Sequence, residues 1–240
     1  MVIDPASVMP DLSASPKDRI IDALMSLAAE RPFEEITIAD VAARAGVSLS
    51  QFRELYPSKG AVLGGFSRRI DKVVLDGISS DLDEESDKER LFDVLMRRLD
   101  AMTPYRDGLK GVVEWAKREP LAAAALNSQV INSMRFMLEA ARLDSEGPMG
   151  TLKLQGLALA WTRVLDVWFA DEDPGLARTM AALDRMLKSG GSWVKRLEDM
   201  NRLTSPLRAL ARAILSPPKR ESHRTRPRWG DDDRDTAPQV

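Results

Sequence analysis

From Ser15 onward apolar residues recur three and four positions apart, the spacing of amphipathic helices, and β-branched alternation never persists for more than a few residues. The pattern predicts an all-α chain. Ser15-Pro16 opens a first helix with a cap followed by proline at the first helical position. Ile20, Ile21, Leu24, Leu27 and Ala28 give its buried face, and Arg31-Pro32 ends it. The stretch Thr37 to Lys59, TIADVAARAGVSLSQFRELYPSK, then reads as two short helices joined by a glycine turn, the layout of a DNA-binding helix-turn-helix.

Within that stretch Thr37 is a helix cap with Asp40 three residues on, and Ile38, Val41 and Ala42 fall on one apolar face. Ala45-Gly46 ends the first helix, with Gly46 suited to a left-handed turn and Val47 to the angle between the helices. Ser48 and Gln51 form a capping box for the second helix, and Phe52 and Tyr56 share the face that anchors it. Ser50, Gln51, Arg53 and Glu54 point outward. Pro57 stops the helix and Ser58 caps another that runs to about Ser79, with Val62, Phe66, Ile70 and Val73 or Val74 on one stripe.

The acidic stretch Asp81 to Asp87 reads as a domain boundary. Beyond it Leu91, Val94, Leu95, Arg98 and Leu99 mark a helix. Pro104, Pro120, Gly147-Pro148, Pro174 and Gly190-Gly191 punctuate the rest into helices over Tyr105 to Arg118, Leu121 to Leu143, Met149 to Ala170, Gly175 to Lys188 and Ser192 to Leu215. The organisation expected is a disordered arm over 1–14, a helix-turn-helix domain over 15–80, a larger helical domain over 86–215 and a disordered tail over 216–240. In that tail Lys219, Arg220, Arg224, Arg226 and Arg228 precede the acidic GDDDRD. The tail reads either as a phosphate-tracking basic arm or as a solvated segment whose charge blocks offset each other.

Composition removes most catalytic classes. The chain has no cysteine, and its one histidine, His223, lies in the tail. Disulfides, thiolate nucleophiles, histidine triads and histidine zinc sites are therefore unavailable inside the fold. The carboxylate pairs Glu84-Glu85 and Asp231 to Asp233 sit in polar linkers and read as solvated charge, so the expectation is a non-enzyme without metal or cofactor. With 35 basic against 37 acidic residues, net −2, DNA affinity must come from local placement rather than from the whole chain. The first residues lack a basic region ahead of an apolar one, and no apolar run is long enough to cross a bilayer, so the expected location is cytoplasmic.

The run from Ile20 to about Leu63 resembles the N-terminal domain of TetR-family transcriptional regulators. Thr37, Ile38, Val41, Ala42, Ala45, Gly46, Val47, Ser48, Tyr56, Ser58, Lys59 and Leu63 carry the likeness in order. Where the family usually places aromatic phosphate contacts in the recognition helix, this chain has Arg53 and Leu55. Arg53 can still serve phosphate or guanine; Leu55 cannot. The resemblance implies a homodimer on a palindromic double-stranded operator, with Thr37, Ser48, Ser50, Gln51, Arg53 and Lys59 as DNA-contacting residues. Gln51 is suited to adenine, and Thr37 and Lys59 lie near helix ends that favour phosphate.

It also implies an effector cavity in the second domain. Trp115, Met134, Met137, Trp161 and Trp168 are the candidate lining, for an apolar or amphipathic ligand; plain core is the alternative for the same residues. Gly156, Ala160 and Arg163 lie opposite Leu157, Trp161, Leu165 and Trp168 on one helix, so a second face is available for a subunit interface. Finally, Trp168 to Leu187 is similar to the C-terminal segment of coenzyme Q biosynthesis proteins that share the TetR fold but bind lipid. Asp171, Asp173-Pro174, Thr179, Leu183, Asp184 and Arg185 are the shared residues. A lipid-binding protein without DNA binding is thus the second expectation.

Overall fold

Side-chain caps set where the first four helices begin. In a computed structural model that describes residues 14–78 and 84–190, α1 (Pro16–Glu30) starts beneath Ser15, whose hydroxyl accepts from the Asp18 N–H at 3.2 Å. Helix α2 (Ile38–Ala45) starts in a closed capping box between Thr37 and Asp40. Helix α3 (Leu49–Leu55) starts in a second one between Ser48 and Gln51. Ser58 caps α4 (Lys59–Asp76) through the Ala61 N–H at 3.1 Å. Between α2 and α3, Gly46 takes φ 64° and ψ 40°. The Val47 N–H turns back to the Ala42 carbonyl at 3.0 Å, and a side chain with a Cβ would resist that left-handed turn.

The following helices are α5 (Asp87–Met102), α6 (Arg106–Arg118), α7 (Pro120–Ala140), α8 (Gly147–Phe169) and α9, residues 177–190. Among the described residues there is no strand, and the fold is all-α. The expected helices are present with shifted ends. Tyr105 falls in a 3-10 turn, Thr103–Tyr105, ahead of α6. Helix α7 stops at Ala140 because Arg142 takes φ 59° and the Leu143 N–H bonds back to the Leu138 carbonyl at 2.9 Å. Helix α9 starts at 177 rather than Gly175 because the Asp173 carboxylate draws in the Gly175 and Ala177 N–H groups at 3.0 and 3.2 Å. The helix expected over Ser192 to Leu215, the arm and the tail lie outside the described residues.

All described residues belong to one unit of the chain, Met1–Lys195, and its core is continuous across the expected domain boundary. The tightest seam joins α1 to α6. A Cβ on Gly108 would stand 2.3 Å from the Met25 carbonyl oxygen, and one on Gly111 2.4 Å from that of Ala28, so the two helices touch backbone to backbone. The same stripe of α6 continues with Trp115, whose ring lies 4.5 Å from that of Phe33, and with Arg118, which donates to Glu34 at 2.9 Å. Positions 108, 111, 115 and 118 therefore form one face pressed on the first region.

A second junction is polar. Asp71 of α4 is buried, accepts from the buried Arg98 of α5, and accepts from the Ser133 hydroxyl of α7 at 2.5 Å. The pair places two charged groups in the core, and the Arg98 Nε has no hydrogen-bond partner among the described residues. Burial pushes the Arg98 pKa down while Asp71 opposes it.

Candidate nucleic-acid interface

Helix α3 is held from one side. Phe52 and Tyr56 are buried with ring centres 6.5 Å apart, as the sequence pattern implies, and Val47 and Leu55 pack on the same core. The Tyr56 ring fits against α4 only because position 65 is glycine, where a Cβ would stand 2.5 Å from the phenol oxygen. Helix α2 is tied to α1 by a two-pronged ion pair, Arg44 to Glu30 at 2.7 and 2.8 Å, and by Arg19 Nε donating to the Ala45 carbonyl at 3.1 Å. Apart from the exposed capping boxes and ion pairs, the packing that fixes α2 and α3 lies on their inner side.

The exposed residues of α3 divide into two groups. Gln51, Glu54 and Leu55 line a shallow cleft together with Ser15, Pro16 and Lys17 at the start of α1. Leu49 and Arg53, four residues apart, lie on the face away from that cleft, and Ser50 stands between the two groups, one turn before Glu54. Glu54, which is exposed and would repel a phosphate, therefore shares a cleft with Lys17 and the positive end of α1. Arg53 makes no ion pair among the described residues.

The six residues expected at DNA are not equally free. Thr37 is exposed, but its hydroxyl donates to Asp40 at 2.7 Å and accepts from the Asp40 N–H at 3.1 Å. The Thr37 hydroxyl and the Thr37 N–H, which also donates to the Asp40 carboxylate at 2.9 Å, together with Arg31 at 2.8 Å from it, hold the Asp40 pKa below the usual carboxylate range. Ser48 and Ser50 hydroxyls lie 2.9 Å apart, and the Ser48 oxygen also accepts from the Gln51 N–H at 3.2 Å. Gln51 Oε1 accepts from the Ser48 N–H at 2.9 Å, so two-point bonding to adenine requires the box to open, and only the amide NH2 is unspent.

Lys59 is turned inward. Its ammonium donates to the Phe33 carbonyl at 2.9 Å and the Ile36 carbonyl at 2.5 Å and stands 4.5 Å above the Phe33 ring. Burial pushes its pKa down. In this arrangement its charge fastens the start of α4 to the turn before α2 rather than facing outward. The sequence did not single out Leu49, the first residue of α3, which is 57% exposed and packs on nothing in the core. Ile38, expected on the buried face of α2, is likewise exposed at the first position of its helix.

The candidate ligand residues separate as well. Met134, Met137, Trp161 and Trp168 are fully buried in the common core. Trp115 is half-buried at the α6 seam against Phe33, apart from a shared lining. Trp168 Nε1 is buried with no partner among the described residues. Arg106 lies over its ring at 5.2 Å and donates to the Trp168 and Asp171 carbonyls, closing the end of α8. The residues that carry the likeness to the coenzyme Q proteins have local partners. Asp171 accepts from the Thr179 N–H and hydroxyl at 2.8 and 2.7 Å, and Asp184 pairs with Lys88 and Lys188 at 2.9 and 2.7 Å.

On its outward side α8 exposes Leu152 (48%) and Leu159 (59%) around the exposed Gly156, and Met180 of α9 is exposed too. No described helix is long and apolar enough to cross a membrane.

No family model matches the chain, and neither does any curated protein. Solved structures do. A TetR transcriptional regulator from Nitrosomonas europaea superposes with a TM-score of 0.60 at 23% identity, covering 74% of this chain and 99% of that one. Another from a Rhodococcus species gives 0.51 at 17% identity, covering 73% and 94%. The likeness shows the fold: a helix-turn-helix unit followed by a larger helical domain in the TetR arrangement.

Proposed function

We propose that this TetR-fold chain is a ligand-responsive transcriptional regulator that binds an inverted-repeat DNA operator as a homodimer and represses, rather than an enzyme. The observation that carries the reading is the outer side of α3. Leu49, Ser50 and Arg53 are exposed on a helix packed from behind, and they support neither the core nor an ion pair. A second copy is supported by the apolar surface at Leu152, Leu159 and Met180, which a monomer leaves in water, and by the two-fold symmetry that an inverted repeat demands.

The effector class follows from the second region. Methionines adapt to an inserted ligand, and the unpartnered Trp168 N–H favours an apolar molecule carrying one hydrogen-bond acceptor. Such a ligand acts on DNA affinity by no more than its preference for one conformation.

Selection of the purified protein against random duplexes tests the reading. Enrichment of an inverted repeat is expected, with the base preference at one position of each half-site relaxed by Arg53→Ala. An unenriched pool refutes it. Sedimentation of Leu159→Lys tests the interface, with a shift from dimer to monomer expected.

A further inference from the structure

The outer side of α3 also carries information about which bases it meets, and we infer that each half-site contains a thymine under Leu49 and, one or two base pairs away, a guanine under Arg53. This rests on the DNA-binding reading above and extends it to operator composition. Three observations set Gln51, Glu54 and Lys59 behind these two residues, and the serine and threonine hydroxyls do not select one base. Gln51 Oε1 is occupied by the Ser48 N–H, so the side chain best suited to adenine is engaged in holding the helix start. Glu54 lines the cleft with Lys17, so the acceptor that would favour cytosine lies off the face that Leu49 and Arg53 share. Lys59 donates to the Phe33 and Ile36 carbonyls and stands off the surface.

What remains is an exposed leucine and a guanidinium without an ion pair, four residues apart on one face of the helix. Residues at that spacing have Cβ atoms roughly 6 Å apart. Stacked bases rise about 3.4 Å per step, so the two side chains span one or two steps. In the major groove the one apolar feature of a base edge is the thymine methyl, and the one pair of acceptors matching a guanidinium fork is guanine O6 and N7. A leucine left in water on this side gains from the first, and an uncommitted arginine from the second. Ser50 flanks Arg53 on the same helix, and its hydroxyl can donate or accept, so it adds contact without choosing a base.

The test uses the full chain and the duplex it enriches from a random pool. Each thymine of a half-site is replaced in turn by deoxyuridine, which lacks only the methyl group, and each guanine by 7-deazaguanine, which lacks the N7 acceptor. One thymine position should weaken binding about fourfold per half-site on losing its methyl, the worth of one buried carbon. Leu49→Ala should bind the two versions equally while remaining sensitive to 7-deazaguanine. Arg53→Ala should show the reverse, losing discrimination of roughly 5- to 100-fold at the guanine alone. If the protein binds its selected duplex and no thymine responds to loss of the methyl, or Leu49→Ala responds as the parent does, the inference is overturned and the regulator reading stands. If no duplex is enriched, the regulator reading itself falls.

Discussion

Residues 14–78 and the helices from α6 to α8 hold themselves together in opposite ways. In the first region each helix start is fixed by a neighbouring side chain, Ser15, Thr37, Ser48 or Ser58, so local sequence decides where helices begin. Helices α6, α7 and α8 begin after Tyr105, Glu119 and Glu146 with no side-chain cap, and α7 and α8 carry a proline in their first turn. Their placement comes from contacts with residues distant in sequence: glycines against the α1 backbone, Ser133 on Asp71, and Trp161 and Trp168 in the shared core. A unit fixed by local bonds keeps its shape when displaced as a body. A region fixed by packing is the one whose arrangement a ligand can change.

The largest effect expected from breaking this contrast lies at the buried pair. Arg98→Ala leaves the buried Asp71 carboxylate with the Ser133 hydroxyl but no opposite charge and should cost about 3–5 kcal/mol in denaturant unfolding. Replacing Arg98 and Asp71 together with Met and Leu should recover most of it. A middle-sized effect belongs to the seam. Gly111→Val places side-chain carbon where the Ala28 carbonyl already sits and should destabilise by roughly 1–3 kcal/mol. Leu126→Val, in the second region but off the seam, should lose less than about 1.5 kcal/mol.

The smallest effect is a pH dependence. Hydrogen bonds from Thr179 hold the Asp171 pKa below its ordinary 3.8, and Asp40 and Glu89 are lowered by their capping partners. A carboxylate with a lowered folded pKa contributes its full stability above the unfolded value and loses it as pH falls through the folded one. Thermal stability should therefore be flat above about pH 5 and decline below the ordinary carboxylate range. Asp171→Asn should flatten that decline, as scanning calorimetry across pH would record.

The same contrast explains how much could be read without coordinates. Gly46, the Thr37 and Ser48 capping boxes and the Phe52–Tyr56 face are short-range patterns, and each forms as its residues imply. The seam was illegible because Gly108 and Gly111 read locally as residues that weaken a helix; their meaning depends on carbonyls at 25 and 28, far back in the chain. Lys59 looked like a surface cation at a helix start because its acceptors, the carbonyls of 33 and 36, are backbone atoms that carry no sequence signal. Arg98 did leave a trace. An arginine on the stripe of Leu91, Val94, Leu95 and Leu99 is a charge on a buried face, and such a charge implies a buried partner.

The most direct test is hydrogen exchange of the full chain with and without its selected duplex. Slowed exchange should appear in peptides covering 37–54, strongest over 48–54, because DNA would cover the outer side of α2 and α3 while leaving their inner bonds as they are. Protection confined to 216–240, or none anywhere, would contradict the assignment of α3 as the reading element.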